Sequence, residues 1–292
     1  MFIYLKLILM AFFWGGAFVA GRSIAVTLDP FSAAFLRFAM AAIFLGIIYR
    51  IRRPPPGNVL TSRQIAGLAM LGLTGIAVYN VCFFTGLKLI SASRASAIIT
   101  NNPIMVLLLS ILFLREKVDF LKISGILLSV TGACIVIFRG NIGLILQGNL
   151  GEGEIAILGC VISWAIYSVL GKKLLNTISP LQATFYATLF GAVFLSLPAF
   201  RNGVVFRMMH LNLQTWLGLL YLASCATVLG FVWFYDGVKT IGPARASQFV
   251  NLVPVNAFVL SYFVLHEQLT FSLLTGTGFV IAGVLVAQRS AK

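Results

Sequence analysis

The sequence predicts an all-α membrane protein: ten transmembrane helices arranged as two five-helix repeats of inverted topology. Three observations predict it. Of the 292 residues, 60% are hydrophobic and only 10% charged; the apolar residues fall in long uninterrupted stretches; and the chain repeats itself at an interval of 150–151 positions. A soluble domain of ordinary make-up is about 45–50% apolar and about 25% charged, so this chain, with a mean hydropathy of +1.02, cannot cover a water-facing surface. A soluble enzyme, a disordered protein and a disulfide-rich secreted scaffold are excluded at this level.

A spanning helix needs about 20 mostly apolar residues. Stretches free of charge and histidine at 64–87, 95–114, 174–200, 211–235, 246–265 and 268–288 are long enough alone. Those at 7–21, 38–49, 123–138 and 155–171 extend through flanking apolar positions. The expected helices, in order, cover 4–26, 31–49, 64–86, 93–113, 120–138, 153–172, 180–199, 214–236, 243–264 and 270–288. Barrel strands would alternate over segments of about ten residues, whereas these runs are continuous. The first segment is not read as a cleavable signal: only Lys6 flanks it, and cleavage after Ala20 would put Phe18 where a small residue is needed.

With the first terminus inside, Lys6, Arg50, Arg52, Arg53, Arg63, Arg115, Lys117, Lys122, Lys172, Lys173, Lys239, Arg245, Arg289 and Lys292 fall on the inner side. The other side receives Arg22, Lys88, Arg94, Arg139, Arg201 and Arg207. Fourteen against six predicts both termini cytoplasmic, and compact loops fit a bacterial cytoplasmic (inner) membrane. The net charge of +14 therefore reflects loop topology. No nucleic-acid partner is expected, because no basic stripe with interleaved aromatics lies outside the spans. Cys82, Cys134, Cys160 and Cys225 all lie in apolar stretches and read as small buried hydrophobes.

Shifting the chain by 151 aligns Phe83–Gly132 with Phe234–Gly283 at 15 identities in 50 positions. They include Gly86/Gly237, Lys88/Lys239, Arg94-Ala95-Ser96/Arg245-Ala246-Ser247, Pro103/Pro254, Glu116/Glu267, Gly125/Gly276 and Gly132/Gly283. A shift of 150 aligns Trp14/Trp164, Gly21/Gly171, Pro30/Pro180 and Phe35/Phe185. Chance matches in apolar sequence would be of Leu, Val and Ala, not Trp, Pro, Arg and Glu in order. The reading is a first repeat over 1–138, a glycine-rich linker over 139–152 and a second repeat over 153–292. Five helices per copy is odd, so the second copy enters from the opposite side, the arrangement of many secondary transporters.

These features carry a resemblance. Trp14-Gly15 in the first span, Pro103…Leu114-x-Glu116 followed by Gly125 and Gly132, and their copies Pro254, Leu265-x-Glu267, Gly276 and Gly283 resemble the EamA-type members of the drug/metabolite transporter superfamily. Within it the chain most resembles the YddG-like exporters of aromatic and other neutral amino acids. The resemblance implies a central cavity lined by spans 1, 3, 4, 6, 8 and 9, with spans 5 and 10 peripheral.

Polar groups in hydrocarbon are costly unless paired or wet, so intramembrane polar and aromatic residues are the candidates for solute binding. In the sixth span Trp164, Tyr167, Ser168 and Gly171 share one helical face, and the first span repeats the spacing with Trp14, Ala17, Phe18 and Gly21. These are either an aromatic packing stripe or an aromatic wall suited to an amphipathic solute. The third span carries Gly72, Gly75, Tyr79, Phe83 and Gly86 on one stripe with Asn80 beside it. Asn101-Asn102-Pro103 and Gln248, Asn251, Pro254 and Asn256 place amides near the carbonyls of Ile99 and Val250, which each proline frees; they either hold the ends of a neutral amino acid or satisfy the kinked backbone. The expected solute site is thus Trp14, Phe18, Tyr79, Asn80, Asn101, Asn102, Trp164, Tyr167, Gln248 and Asn251. Arg37, the one charge well inside a span, either snorkels, binds helix ends or attracts a carboxylate-bearing solute. Arg94 and Arg245 read as helix caps and interface anchors.

No Asp or Glu lies mid-span, so transport down the solute's own gradient is expected, rather than proton exchange through a buried acid. An enzyme would need a paired carboxylate, histidine or metal cluster; His210 and His266 are in loops with no ligand spacing, and neither a catalytic residue, a metal nor a cofactor is expected. A channel or structural assembly lacks a filter repeat or charged ring. Nucleotide sugars, lipid-linked sugars and drug cations are the alternative cargoes of the same fold. The expected partners are a small-molecule solute and the lipid bilayer; one chain suffices, and a dimer is left open.

Overall fold

Local sequence sets where the helices begin. Asp29 and Ser179 accept the backbone N–H of Ser32 and Gln182, with Pro30 and Pro180 in the first turn, where a missing N–H costs nothing. Thr61 and Gln64 form a reciprocal capping box, while Ser91, Asp119 and Asn212 cap three further helices. The computed structural model describes residues 2–52, 60–114, 119–141, 150–174, 177–241 and 249–289. Its elements are α1 (Phe2–Ala25), α2 (Pro30–Ile51), α3 (Ser62–Leu89), α4 (Ala92–Ile99), α5 (Asn102–Leu114), α6 (Phe120–Ile137), α7 (Glu152–Leu174), α8 (Pro180–Arg201), the short α9 (Val204–Met209), α10 (213–241), α11 (Leu252–Leu265) and α12 (Phe271–Arg289). No strand occurs among the described residues.

Among the described residues, seven helices are long and apolar enough to cross a membrane, and Phe249–Leu265 and Phe271–Ala287 are shorter apolar segments. Outward faces are apolar too: Ile47, Leu127, Leu197 and Phe263 are exposed, as suits lipid rather than water. The predicted continuous helix at 93–113 is instead two helices, α4 and α5, interrupted at Thr100–Asn101. Pro103 cannot donate to the carbonyl four residues earlier, and the chain breaks there. The ninth predicted helix, 243–264, is described only from Phe249, where a 3₁₀ turn (Phe249–Asn251) leads into α11; Gln248 lies outside the described residues. Of the cysteines, only Cys160 is fully buried; Cys82, Cys134 and Cys225 are half-buried.

Two helices widen into π-helical turns, α3 over Gly72–Val78 and α10 over Leu222–Leu229, positions 150 apart. Each π turn holds an extra residue and rotates the helix beyond it. The glycine stripe expected on α3 is consequently split. A Cβ at Gly72 would lie 2.7 Å from the Ala187 carbonyl of α8, whereas Gly75 and Gly86 face Tyr167 and Ile157 of α7.

The helices meet in pairs that exchange under the repeat interval. A Cβ on Gly125 of α6 would lie 2.6 Å from the Gly283 carbonyl of α12, and one on Gly132 would lie 2.5 Å from that of Gly276. Adding 151 to Gly125 gives Gly276 and adding it to Gly132 gives Gly283, so the shift carries each contact onto the other. Ring contacts between α2 and α8 exchange to within one residue: Phe35 meets Phe200 at 5.4 Å, and Tyr49 meets Phe185 at 5.1 Å. On their outward faces α6 and α12 expose Leu127, Val130 and Phe279.

Candidate functional site

Aromatic residues from four helices converge. Trp14 of α1 lies 5.6 Å from Phe231 of α10, centroid to centroid, and Trp164 of α7 lies 6.1 Å from the same ring. Trp164 also meets Tyr79 of α3 at 5.6 Å and Tyr167 at 5.3 Å. Tyr79 stacks near Phe83, which meets Phe18 of α1 at 5.4 Å. Five predicted site residues, Trp14, Phe18, Tyr79, Trp164 and Tyr167, thus form one connected cluster. Its offset and edge-on pairs are the geometries that ring quadrupoles favour.

Two details fix the rings. Trp14 Nε1 donates to the Ala226 carbonyl at 2.9 Å, inside the π turn of α10. The repeat-related partner of Tyr79 is Gly230, where a Cβ would strike Trp14 Nε1. The space a tyrosine fills on α3 is therefore left open on α10, and the indole of Trp14 lies against it.

The amides behave differently. Asn101 Nδ2 donates to the Ile98 carbonyl at 3.0 Å, and its Oδ1 accepts from Ser129 Oγ at 3.2 Å. Asn256 Nδ2 donates to Leu252 O at 2.9 Å. Both satisfy backbone near a proline break, as short polar side chains do. Asn102 Oδ1 is buried with no hydrogen-bond partner among the described residues. Asn251 occupies the N-cap of α11 without a side-chain capping bond.

Arg37 neither snorkels nor binds a helix end. It is 7% exposed, its Nη1 donates to Asn80 Oδ1 at 3.0 Å, and its Nε and Nη2 donate to Thr227 Oγ1 at 3.3 and 3.2 Å. Asn80 is therefore a partner of this arginine rather than a member of the aromatic cluster. Sequence reading missed Phe231 and Thr227. The aromatic run Phe231-Val232-Trp233-Phe234 was a visible signal for the first; nothing in composition singles out the second.

Charged contacts stitch the ends of the bundle. Glu267, after α11, accepts the N–H groups of Ala92 and Ser93 at 2.8 and 3.0 Å, so its carboxylate caps the positive end of α4; Ser93 Oγ also bonds it and lies 2.7 Å from Ser261 Oγ. Arg94 does not cap its own helix: its Nη2 pairs with Glu154 at 2.8 Å and donates to the carbonyl of Ile137, the last residue of α6. At the other end Lys6 Nζ meets Asp236 at 2.7 Å. Two cavities, of about 760 and 810 Å³, lie between α2 and α8 and beside α1, α10 and α11. Neither touches a predicted site residue, since the rings at the centre close on one another.

An all-helical chain with apolar outward faces and an aromatic centre is a polytopic membrane protein. The chain belongs to the EamA-like transporter family, whose profile matches it twice, over residues 1–138 and 151–288. It is 29% identical over 285 residues to "Uncharacterized transporter YyaM" of Bacillus subtilis (strain 168), covering 98% of this chain and 93% of that one. It is 28% identical to a Streptantibioticus cattleyicolor protein named "Probable terminal-alkyne amino-acid exporter", covering 97% and 92%. One solved crystal structure matches with a TM-score of 0.64 at 16% identity, covering 98% of this chain and 97% of that one, a likeness of fold. The protein is a membrane transporter, not an enzyme.

Proposed function

We propose that this transporter carries small amphipathic metabolites, aromatic or other neutral amino acids first among them, by alternating access around a central site. Ten spans form two inverted five-helix halves, both termini lie in the cytoplasm, and the membrane is the bacterial cytoplasmic one. The observation that carries the cargo reading is Phe231, whose ring joins Trp14 to Trp164 and makes one aromatic surface from both halves of the chain. The Streptantibioticus relative, named as an amino-acid exporter, supports the same class. Paired contacts that exchange at an interval of 151 support the inverted halves. With every acid away from mid-span, the solute gradient drives transport, by uniport or exchange.

The test is radiolabelled flux into vesicles holding only this protein, with a panel of neutral amino acids and with Trp14→Ala and Trp164→Ala beside the parent. Saturable flux of aromatic amino acids, lost in both folded variants and unchanged by a protonophore, is the expected result. Flux that ignores both substitutions removes the aromatic site, and absence of amino-acid flux turns the search to nucleotide sugars, lipid-linked sugars and cationic drugs.

A further inference from the structure

Arg37 is a buried cation whose two hydrogen-bond partners are neutral. It lies in the third turn of α2 and reaches two other helices, where it touches Asn80 Oδ1 and Thr227 Oγ1. Those acceptors are themselves held. Thr227 donates its hydroxyl proton to Leu222 O at 2.8 Å, five residues back along the π turn, and Asn80 Nδ2 donates to Ile76 O at 2.8 Å. Their remaining lone pairs are thereby turned toward the guanidinium. A guanidinium has five N–H donors, and three are engaged here.

The described carboxylates are committed elsewhere. Asp29 caps α2 and faces Arg207, Glu154 pairs with Arg94, and Asp236 pairs with Lys6. Glu267 caps α4, Asp119 caps α6, and Glu152 is exposed at the start of α7. A charge in a low-dielectric interior is costly unless paired, so this fold maintains, with preset neutral acceptors, a positive site whose countercharge the described residues do not supply. The position adjoins the aromatic cluster along two helices. Tyr79 precedes Asn80, and Ala226, which accepts from Trp14, precedes Thr227.

We infer that Arg37 is the anion anchor of the solute: its fixed charge selects molecules that bear a carboxylate, with Asn80 and Thr227 as positioning residues. This deepens the amino-acid reading above and rests on it for the identity of the cargo. An aromatic amino acid would set its ring against the cluster and its carboxylate toward the two unused N–H groups, which suit a planar acceptor.

The experiment is ligand-dependent thermal unfolding of the purified full chain in detergent with phenylalanine, phenylacetate and 2-phenylethylamine. These carry both charges, the carboxylate alone and the ammonium alone. In the parent the two carboxylates should half-saturate at about tenfold lower concentration than the amine, the worth of one charge-assisted hydrogen bond. Arg37→Gln should bring the three together, and Arg37→Lys should keep the order at weaker affinity. Asn80→Asp gives Arg37 an internal counter-ion; it should raise the melting temperature without ligand and erase the preference. A purely structural Arg37 would produce the first effect of Asn80→Asp without the second. Equal stabilisation of the parent by amine and amino acid, no stabilisation by either carboxylate, or an unchanged order in Arg37→Gln or Asn80→Asp overturns the anchor. Stabilisation by phenylacetate alone, dependent on Arg37, keeps the anchor and discards the amino-acid cargo. Phenylalanine flux without carboxylate preference does the reverse.

Discussion

Ser129 Oγ of α6 reaches the Val280 carbonyl of α12 at 3.5 Å, and the two residues are 151 positions apart, the interval at which the chain repeats. Each is the other's counterpart, so their contact lies where the two halves meet on equal terms. On either side of it come Gly125 against Gly283 and Gly132 against Gly276. Small residues let membrane helices approach backbone to backbone, where dispersion and Cα–H contacts replace a hydrophobic drive.

Gly132→Val should therefore destabilise the protein by about 1–3 kcal/mol, the usual cost of overpacking, because the carbonyl it meets cannot rotate aside. Gly278→Ala, with nothing within 4 Å of its Cβ, should be neutral or slightly stabilising. Melting temperatures of the two variants in one detergent decide it; similar losses in both would count against the seam.

Phe231→Ala removes the ring that touches both tryptophans. Its half-saturation for aromatic amino acids should rise about tenfold, the worth of one ring contact with the solute, while flux of alanine stays within about twofold of the parent. An equal loss for both solutes would mean that the ring supports the helix rather than the cargo.

The Arg94–Glu154 pair is a liability if halved. The side chains are 12% and 7% exposed, so Glu154→Gln strands a buried cation and should cost about 3–5 kcal/mol. Arg94→Met combined with Glu154→Leu should recover most of that loss, since apolar replacements of a buried pair are often neutral. A double variant as unstable as the single one would contradict this.

Acid should weaken the turn that leads into α2. Burial alone would raise the Asp29 carboxyl, but hydrogen bonds from Ser32 and Asn202, with the Arg207 guanidinium nearby, outweigh it and hold the group below its ordinary value of 3.8. A depressed carboxylate stabilises fully above its unfolded pKa and loses that contribution as pH falls through the folded one. Unfolding midpoints followed from neutral pH to below 3.8 should drop more steeply for the parent than for Asp29→Asn.

The membrane class and the helix starts were legible because each follows from local chemistry: an apolar run, a capping oxygen. The missing N–H of Pro103 was legible too, but not that it divides the helix expected over 93–113. The glycines of α6 and α12 were visible as repeat identities, but not as partners, since an antiparallel crossing pairs positions that sequence comparison does not align. The stripe read on α3 failed at the π turn. Inside the turn a period of 3.6 does not hold: Gly72 faces α8, while Gly75 faces α7 with Tyr79 and Gly86. For the amides of Asn101 and Asn256 the sequence left two readings open, solute or kinked backbone, and their bonds to Ile98 and Leu252 take the second.

The halves are copies without being equals. Ala187 stands where the repeat would put a second Arg37, and Gly230 stands where it would put a second Tyr79. On the alternating-access mechanism proposed above, the two conformations that exchange the roles of such halves differ in free energy, and a solute meets a different resting population from each face. A carrier of this kind is sided: its half-saturation on one face differs from that on the other, and its maximal rates differ in the same proportion. At equal concentrations the net flux is still zero, because a gradient, not an asymmetry, does work.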